Sequence, residues 1–410
     1  MPLSLFDSLL GQAEAMLIAL RRDLHRQPEL GWLETATAER VITLLQQMGL
    51  SPKIITGGII CDIDSSSLGT TAPRIGFRAD MDALPIEEET GLEYASTVPG
   101  VMHACGHDCH VAMLLMAAGR LVSNRASLTR NIRLLFTRAE EIPPGGEPKL
   151  LAEGGGHGLD EVHGLHVLTS HCGVVYPTGT FLTCVGTISC YSDRPKITLR
   201  ARGGHAMEYG QGSIVSPIDA YAWLVTKLAG SLTRKFQPKG FVHCAAPTPA
   251  QSANVVPSVI EFEFTFRALD RETYDGMHTC LDRIIESFRT AWPDVEISVD
   301  HPAGHIPTIN DPLPTEAARR AAHEVAAWAR LSHDNPVAHV AEMDQILGGE
   351  SFGQFHNAGF PGNFMFLGAG GITPAEQAVH GHGHHRPLFN PDERALVLGV
   401  AYWLQLATQD

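Results

Sequence analysis

Within His103-Ala104-Cys105-Gly106-His107-Asp108-Cys109-His110, three histidines and two cysteines fall in eight residues. Cys105 and His107 flank one glycine, whose backbone freedom lets both side chains lean toward a single ion. A thiolate beside an imidazole suits zinc, nickel, cobalt or manganese far better than calcium or magnesium. On this segment alone, packed cysteines flanked by solvated histidines remain the structural alternative. Three further groups point the same way. Arg138-Ala139-Glu140-Glu141 closes an apolar run, His166 interrupts the apolar stretch Val162–Val167, and His380 to His385 holds four histidines in six residues. Side chains alternate along a strand, so Glu140 and Glu141 can share one site only beyond the strand's end. There one carboxylate can hold metal while the other faces water, the arrangement of a base in metal-assisted hydrolysis. Each signal is weak by itself, and their joint occurrence points to a metal site.

The elements that must deliver these residues are legible as hydrophobic periodicity. Leu5, Leu9, Leu10, Met16, Leu17, Leu20 and Leu24 recur at helical spacing, and a second helix is expected over Glu34–Met48. Strands are expected at Lys53–Ile63, Arg74–Ala79, Asn131–Thr137, Val162–Val167 and Phe364–Leu367, and helices at Val111–Leu121, Leu313–Leu331 and Pro391–Ala407. Strands alternating with helices predict an α/β domain with a mostly parallel sheet, its reactive groups gathered where strands end. Between residues 189 and 300 the texture changes to strand, helix, strands, helix, strand, the order of an inserted ferredoxin-like α+β domain. The expected division is therefore a discontinuous catalytic domain, 1–188 with 301–410, and an inserted lid and dimerisation domain, 189–300.

Composition narrows the function. The 410 residues carry 45 acidic and 30 basic side chains, a net charge of −15. No basic block stands out, so neither nucleic acid nor an anionic membrane is an expected partner. The eight cysteines lack the paired spacing of a small secreted framework, Met1–Arg26 has no signal-peptide core, and no run of apolar residues is long enough to span a bilayer. A reducing, cytoplasmic setting is expected.

Longer motifs now become specific. Arg78-Ala79-Asp80-Met81-Asp82-Ala83-Leu84-Pro85-Ile86, Tyr94-Ala95-Ser96 and Pro99 through Asp108 resemble the amidohydrolase branch of the aminoacylase/carboxypeptidase metallopeptidases, which includes hippurate hydrolases and indole-acetyl-amino-acid hydrolases. The resemblance begins at Leu24-His25-Arg26-Gln27-Pro28-Glu29-Leu30. It continues through Gly203-Gly204-His205-Ala206, Asn254-Val255-Val256-Pro257 and Phe266-Arg267 to His385-Arg386-Pro387-Leu388-Phe389. The resemblance implies that Cys105, His107, Glu141, His166 and His385 hold two divalent ions (manganese, zinc, cobalt or nickel), with Cys105 as a bridge. It makes Glu140 the general base, Asp82 the residue that orients a histidine ligand, and His205 a lid residue reaching a partner subunit's site. Asn254 and Arg267 would bind the substrate carboxylate, a task for which the planar guanidinium is suited.

Three departures bear on the substrate. Family members commonly carry Gly-Ser-Glu-Asp-Phe where this chain has Gly348-Gly349-Glu350-Ser351-Phe352, and His-Ser-Pro where it has His385-Arg386-Pro387. After the lid histidine, Ala206-Met207-Glu208-Tyr209-Gly210 lacks the usual proline–histidine continuation. The leading expectation is a metal-dependent hydrolase that cleaves a C–N bond in a small carboxylate-bearing molecule, an N-acyl amino acid, and works as a homodimer or higher homo-oligomer. An aminohydrolase that deaminates an aromatic amino acid-like substrate such as a substituted anthranilate is the alternative within the same chemistry. A non-catalytic metal- or ligand-binding protein is the alternative of another class, and retention of both glutamates argues against it. A nucleophilic Cys105 fits poorly, because a metal-bound thiolate is not free to attack.

Overall fold

Apolar runs with little alternation are the mark of strands covered on both faces, and such runs build the middle of the larger sheet. The computed structural model describes residues 6–247 and 252–409. The start of the expected opening helix, through Leu5, lies outside them. In chain order the first unit contributes α1 (Gln12–His25), α2 (Thr35–Gln47), β1 (Lys53–Ile55), β2 (Gly58–Ile63), β3 (Arg74–Asp80), α3 (His107–Ser123), β4 (Asn131–Thr137), α4 (Glu147–Ala152), β5 (Glu161–Leu168) and β6 (Thr180–Thr183). A second unit supplies β7 (Tyr191–Asp193), β8 (Lys196–Arg200), α5 (Pro217–Val225), β9 (Gly240–Cys244), β10 (Val259–Ala268), α6 (Arg271–Ala291) and β11 (Glu296–Asp300). The chain then returns to the first unit with α7 (Pro312–Ser332), β12 (His339–Glu342), β13 (Gly362–Gly368) and α8 (Arg394–Thr408).

The first unit is an α/β layer around an eight-stranded sheet of order β1-β2-β4-β3-β5-β13-β6-β12. The central pairs β4–β3, β3–β5 and β5–β13 are parallel, as is β6–β12; the remaining pairs are antiparallel. Every residue of β3, β4 and β13 is buried. Helix α3 packs between α1 and α8, and α8 is buried from Ala395 to Ala407. Helix α3 begins four residues earlier than the apolar run suggests, at His107. That shift matters, because it puts His107 and His110 on the first turn of a rigid helix instead of in a loop.

The second unit is an antiparallel sheet of order β9-β10-β8-β11, the ferredoxin-like arrangement. Strand β7 continues the β8 edge in register, since Tyr191 faces Ala268 and Lys196 faces Glu263. Phe262, Phe264 and Phe266 alternate on one face of β10 and pack with Met277, Leu281, Ile285 and Phe288 of α6. This unit comprises 189–307 and also 345–350, so it ends later than residue 300 and takes back a short later segment. The backbone explains the later boundary. Ser192 and His305 exchange N–H···O=C bonds of 3.0 and 2.9 Å, tying the strand exit to the unit's first strand.

Gly399 tests how tightly α8 holds α3. A Cβ there would lie 2.0 Å from Met113 Sδ. Overpacking of this kind costs about 1–3 kcal/mol, so Gly399→Ala should lower the unfolding free energy by that amount and move the urea midpoint down without changing the slope of the transition.

Candidate metal and hydrolytic site

The site is assembled where β3, β4 and β5 end and α3 begins. Gly106 precedes α3 with φ 91°, a left-handed conformation that glycine adopts without strain. This turn sends Cys105 and His107 to the same side. His166 comes from β5, and His385 follows a loop and is pinned by its own N–H donating to Ala104 O at 2.8 Å. His385 and Ala139 both hold positive φ, 59° and 55°. Two non-glycine residues in this region at one site are a mark of function-related strain.

Glu140 and Glu141 do lie beyond the end of their strand, and buried carboxylates hold the turn that carries them. Asp82 Oδ1 accepts the Glu140 N–H at 3.0 Å and Asp82 Oδ2 accepts the Glu141 N–H at 2.9 Å. Asp82 also faces His107: its backbone O is 2.8 Å and its Oδ1 3.2 Å from Nδ1. Nδ1 thereby donates to Asp82 and Nε2 faces the site; burial disfavours charge on this ring, yet Asp80 and Cys105 hold its pKa well above the ordinary imidazole value. One residue earlier, the Ala139 N–H donates to Glu34 Oε1 at 2.7 Å. On the other side, the Ser351 N–H donates to Glu140 Oε1 at 3.1 Å. Ser351 Oγ meanwhile accepts from Arg78 Nη2 at 2.8 Å, beside the buried Arg78–Glu147 pair at 2.8 Å. Ser351 therefore meets Arg78 through a hydroxyl, and Glu147 supplies the negative charge beside it.

Two sets of donor atoms lie within 4.8 Å of one another and share the thiol: Cys105, His107 and Glu141, and Cys105, His166 and His384. His385 Nε2 is 3.0 Å from Glu141 Oε1, with half of its side chain exposed. The His384 contribution is absent from the sequence reading, which singled out its neighbour. A third acidic and imidazole group, Asp80 with His107 and His110, is closed internally. The Val167 N–H donates to His110 Nε2 at 2.9 Å, so the ring proton sits on Nδ1 and goes to Asp80 Oδ1 at 2.5 Å. No nitrogen of His110 is left for an ion.

The donor set fits divalent transition metals. Among the described residues, His107 Nε2, His166 Nδ1 and His384 Nδ1 are buried without a hydrogen-bond partner, the condition expected of ligand nitrogens awaiting an ion. Burial, with the other imidazoles crowded around it, drives the His166 pKa well down, and burial likewise takes His384 to about 3. Both rings are therefore neutral, as ligation requires. Burial and then the Glu141 charge push the Cys105 thiol well up, so its ionisation needs a nearby cation. Burial opposes ionisation of Asp80 too, yet Arg78, His107 and His110 hold its pKa well below the carboxylate range.

Behind α3 lies a second buried network. Asp108 Oδ2 meets Arg21 Nε at 2.8 Å and His25 Nδ1 at 2.8 Å, with all three side chains fully buried. Burial would raise the Asp108 pKa, but Arg21 and His25 hold it well below the usual range.

The residues expected to bind substrate all lie in the second unit. Gly204 and His205 pair with Val256 and Val255, and the Ala206 N–H donates to Asn254 O at 3.0 Å, so His205 and Asn254 are brought together. His205 is exposed, and its Nδ1 accepts the Met207 N–H at 3.0 Å, leaving Nε2 outward. Arg267 lies on β10, with Nε donating to Thr265 Oγ1 at 3.2 Å. A Cβ at Gly349 would approach Arg267 Nη1 to 2.8 Å, which explains a glycine there. Glu34 and Glu147 escaped the sequence reading, which took in Arg78, His110 and His384 only as members of longer segments and gave them no role. The one available signal was Glu34 immediately before α2, a glutamate at a position that favours Ser, Thr, Asp or Asn.

With this geometry in place, the comparisons with known proteins define the class. The model of peptidase family M20/M25/M40 matches residues 76–409, and the chain belongs to that family. N-acetyl-L-cysteine deacetylase of Bacillus subtilis (strain 168) is 33% identical over 392 residues, covering 95% of this chain and 86% of that protein. The YXEP protein of Bacillus subtilis, described as a dinuclear metal binding peptidase of the M20 family, superposes with a TM-score of 0.73 at 28% identity, covering 97% of this chain and 98% of that one. A longer protein of Rhodococcus jostii (strain RHA1) is 34% identical over 392 residues, and the chain spans only 46% of its length. Divalent metal binding and hydrolysis of C–N bonds follow from the family. No helix of the described residues is long and apolar enough to cross a membrane.

Two outcomes test this arrangement. Asp82→Ala removes the acceptor of two N–H groups and the partner of His107, and should reduce metal affinity or activity about 10–100-fold, read by metal titration and turnover. A carboxylate whose folded pKa is depressed contributes stability above its unfolded pKa, and that contribution is lost as pH falls toward the folded value. Asp108→Asn should therefore cost about 1.5–3 kcal/mol at neutral pH, since Arg21 loses a buried charged partner and keeps only Glu393 Oε1 at 3.3 Å. Its difference from the wild type should shrink as denaturation is followed below pH 4.

Proposed function

We propose that the protein hydrolyses the amide bond of N-acyl amino acids, using a metal-activated water and Glu140 as general base. The observation that carries this reading is the clamped Glu140–Glu141 turn beside the Cys105–His107–Glu141 donors. Binding of an ion does not call for a second carboxylate, whereas proton transfer does. Cys105, His107, Glu141, His166 and His385 would hold two divalent ions, with Cys105 bridging and His384 adding a donor beside His166. When bound, the ions lower the pKa of water and polarise the scissile carbonyl. Manganese, zinc, cobalt and nickel all suit this donor set.

Glu140 takes the proton of the attacking water and passes it to the leaving nitrogen. The Ser351 N–H on Oε1 restricts that carboxylate's orientation, and Asp82 fixes the peptide from which it hangs. Asn254 and Arg267 pair with the substrate's carboxylate, and His205 stabilises the charge that develops on the acyl oxygen, acting on a partner subunit's site. The inserted unit mediates pairing, since β11 ends its sheet order and an open edge needs cover. A homodimer should appear in light scattering; a monomer at assay concentrations contradicts a histidine working in trans. Eight free thiols suit the cytoplasm.

The decisive assay measures amine release from acetyl- and aryl-acyl amino acids, and ammonia release from amino-substituted aromatic acids, with each of the four metals. Amine release abolished by chelation and restored by metal supports the reading; ammonia release alone replaces it with deamination. Glu140→Gln should lower kcat about 10²–10⁴-fold with metal content unchanged, and unchanged turnover removes Glu140 from its role.

A further inference from the structure

We infer that Glu34, a residue of the α2 boundary, is a positioning residue for the catalytic turn, acting through the backbone of Ala139. This inference rests on Glu140 being the base. Three successive N–H groups, those of Ala139, Glu140 and Glu141, donate to buried carboxylates: the first to Glu34 and the other two to Asp82. Ala139 is fully buried and sits at φ 55°. A residue with a Cβ disfavours that left-handed conformation, which persists only where its surroundings impose it.

Glu34 is that imposition. It occupies the N-cap position of α2 but makes no side-chain cap to the helix; its Oε1 reaches across to Ala139 N at 2.7 Å instead. The first-turn N–H groups of Ala36 and Thr37 donate instead to the Glu29 carboxylate at 3.1 and 2.8 Å, which leaves the Glu34 carboxylate available to the turn. The anchor also has a second strand, because Arg138 Nη2 donates to the Glu34 backbone O at 3.2 Å. Glu34 itself is fully buried, and its Oε2 makes no hydrogen bond among the described residues but lies 3.9 Å from Arg138 Nε, a long ion pair. Burial raises its pKa to about 7, against the lowering effect of the Ala139 N–H. Either protonation state keeps an oxygen lone pair for that N–H, so the anchor depends on the acceptor atom and not on charge. Without it, the buried Ala139 N–H is stranded and the residue can relax toward negative φ, which rotates the peptide leading into Glu140.

The test separates positioning from mere support. Glu34→Ala should lower kcat about 10–100-fold, the range for misplacing a reacting group by roughly 1 Å, with KM changed by less than about twofold and metal content retained. Ala139→Gly in that background lets the left-handed turn form without strain and should recover at least about fivefold of the lost kcat. Glu34→Gln keeps an acceptor oxygen and should stay within about threefold of wild type. A readout independent of turnover is hydrogen exchange of residues 138–142 in metal-free protein: faster in Glu34→Ala, slowed again by the added glycine. Full activity in Glu34→Ala, or a loss that neither glycine nor glutamine rescues, overturns the inference. Should Glu34→Ala not fold, a kcat loss beyond about tenfold in folded, metal-replete Glu34→Gln overturns it equally. Absence of metal-dependent turnover in the wild type is a different result and counts against the proposed function, while the exchange pattern still decides the role of Glu34 in shaping the turn.

Discussion

The carboxylate of Asp82 is the constraint on which the site depends. Two adjacent side chains on a strand point to opposite faces, so a Glu-Glu pair can serve one centre only where the strand has ended and something else fixes the backbone. Asp82 does so with both oxygens, taking the N–H groups of Glu140 and Glu141 while facing the ring nitrogen of His107. Hydrogen bonds to a charged group are worth about 1.5–3 kcal/mol each, and these are buried. One residue thereby sets the backbone from which Glu140 and Glu141 hang and the orientation of the His107 ring.

Around this clamp the structure neutralises a dense set of buried charges before any ion arrives. Asp80 is matched by Arg78 and His110, Glu147 by Arg78, and Asp108 by Arg21 and His25. A buried charge left alone is severely destabilising, and these pairings leave the Cys105 thiol beside the neutral His166 and His384 rings, whose Nδ1 atoms have no hydrogen-bond partner. The rigid parts agree with this demand. Helix α3 is buried on nearly all sides and starts at His107, and β3, β4 and β5 carry Asp80, the Glu140–Glu141 turn and His166 to the same region. Of the five non-glycine residues with positive φ among those described, Ala139 and His385 lie at this site, where the chain bends to present the glutamate and histidine side chains.

Much of this was legible in the sequence, and for physical reasons. Continuous apolar runs gave the central strands of the larger sheet, and Phe262, Phe264 and Phe266 alternate as a half-covered strand should. The dense Cys–His segment and the paired glutamates announced a metal site because those residue types recur together for few other purposes. What escaped notice depends on contacts distant along the chain. His110 looks like a candidate ligand until Val167 and Asp80 occupy both nitrogens. His384 and His385 are neighbours, and only the left-handed backbone at His385 sends them to different partners. Glu34 precedes Ala139 by more than a hundred residues, and no local pattern joins a helix boundary to a strand end. The start of α3 was misplaced because His107-Asp108-Cys109-His110 is polar and buried at once, a combination that hydrophobic periodicity does not register.

The central claim is that thiol, imidazole and carboxylate groups from separate strands converge on divalent ions. Diffraction from crystals loaded with zinc or manganese, collected on either side of the metal absorption edge, tests it most directly. The account predicts anomalous density within bonding distance of Cys105 Sγ, with His107, Glu141 and His166 among the other ligands. Ions bound only at surface histidines, with Cys105 left as an unligated thiol, would contradict it.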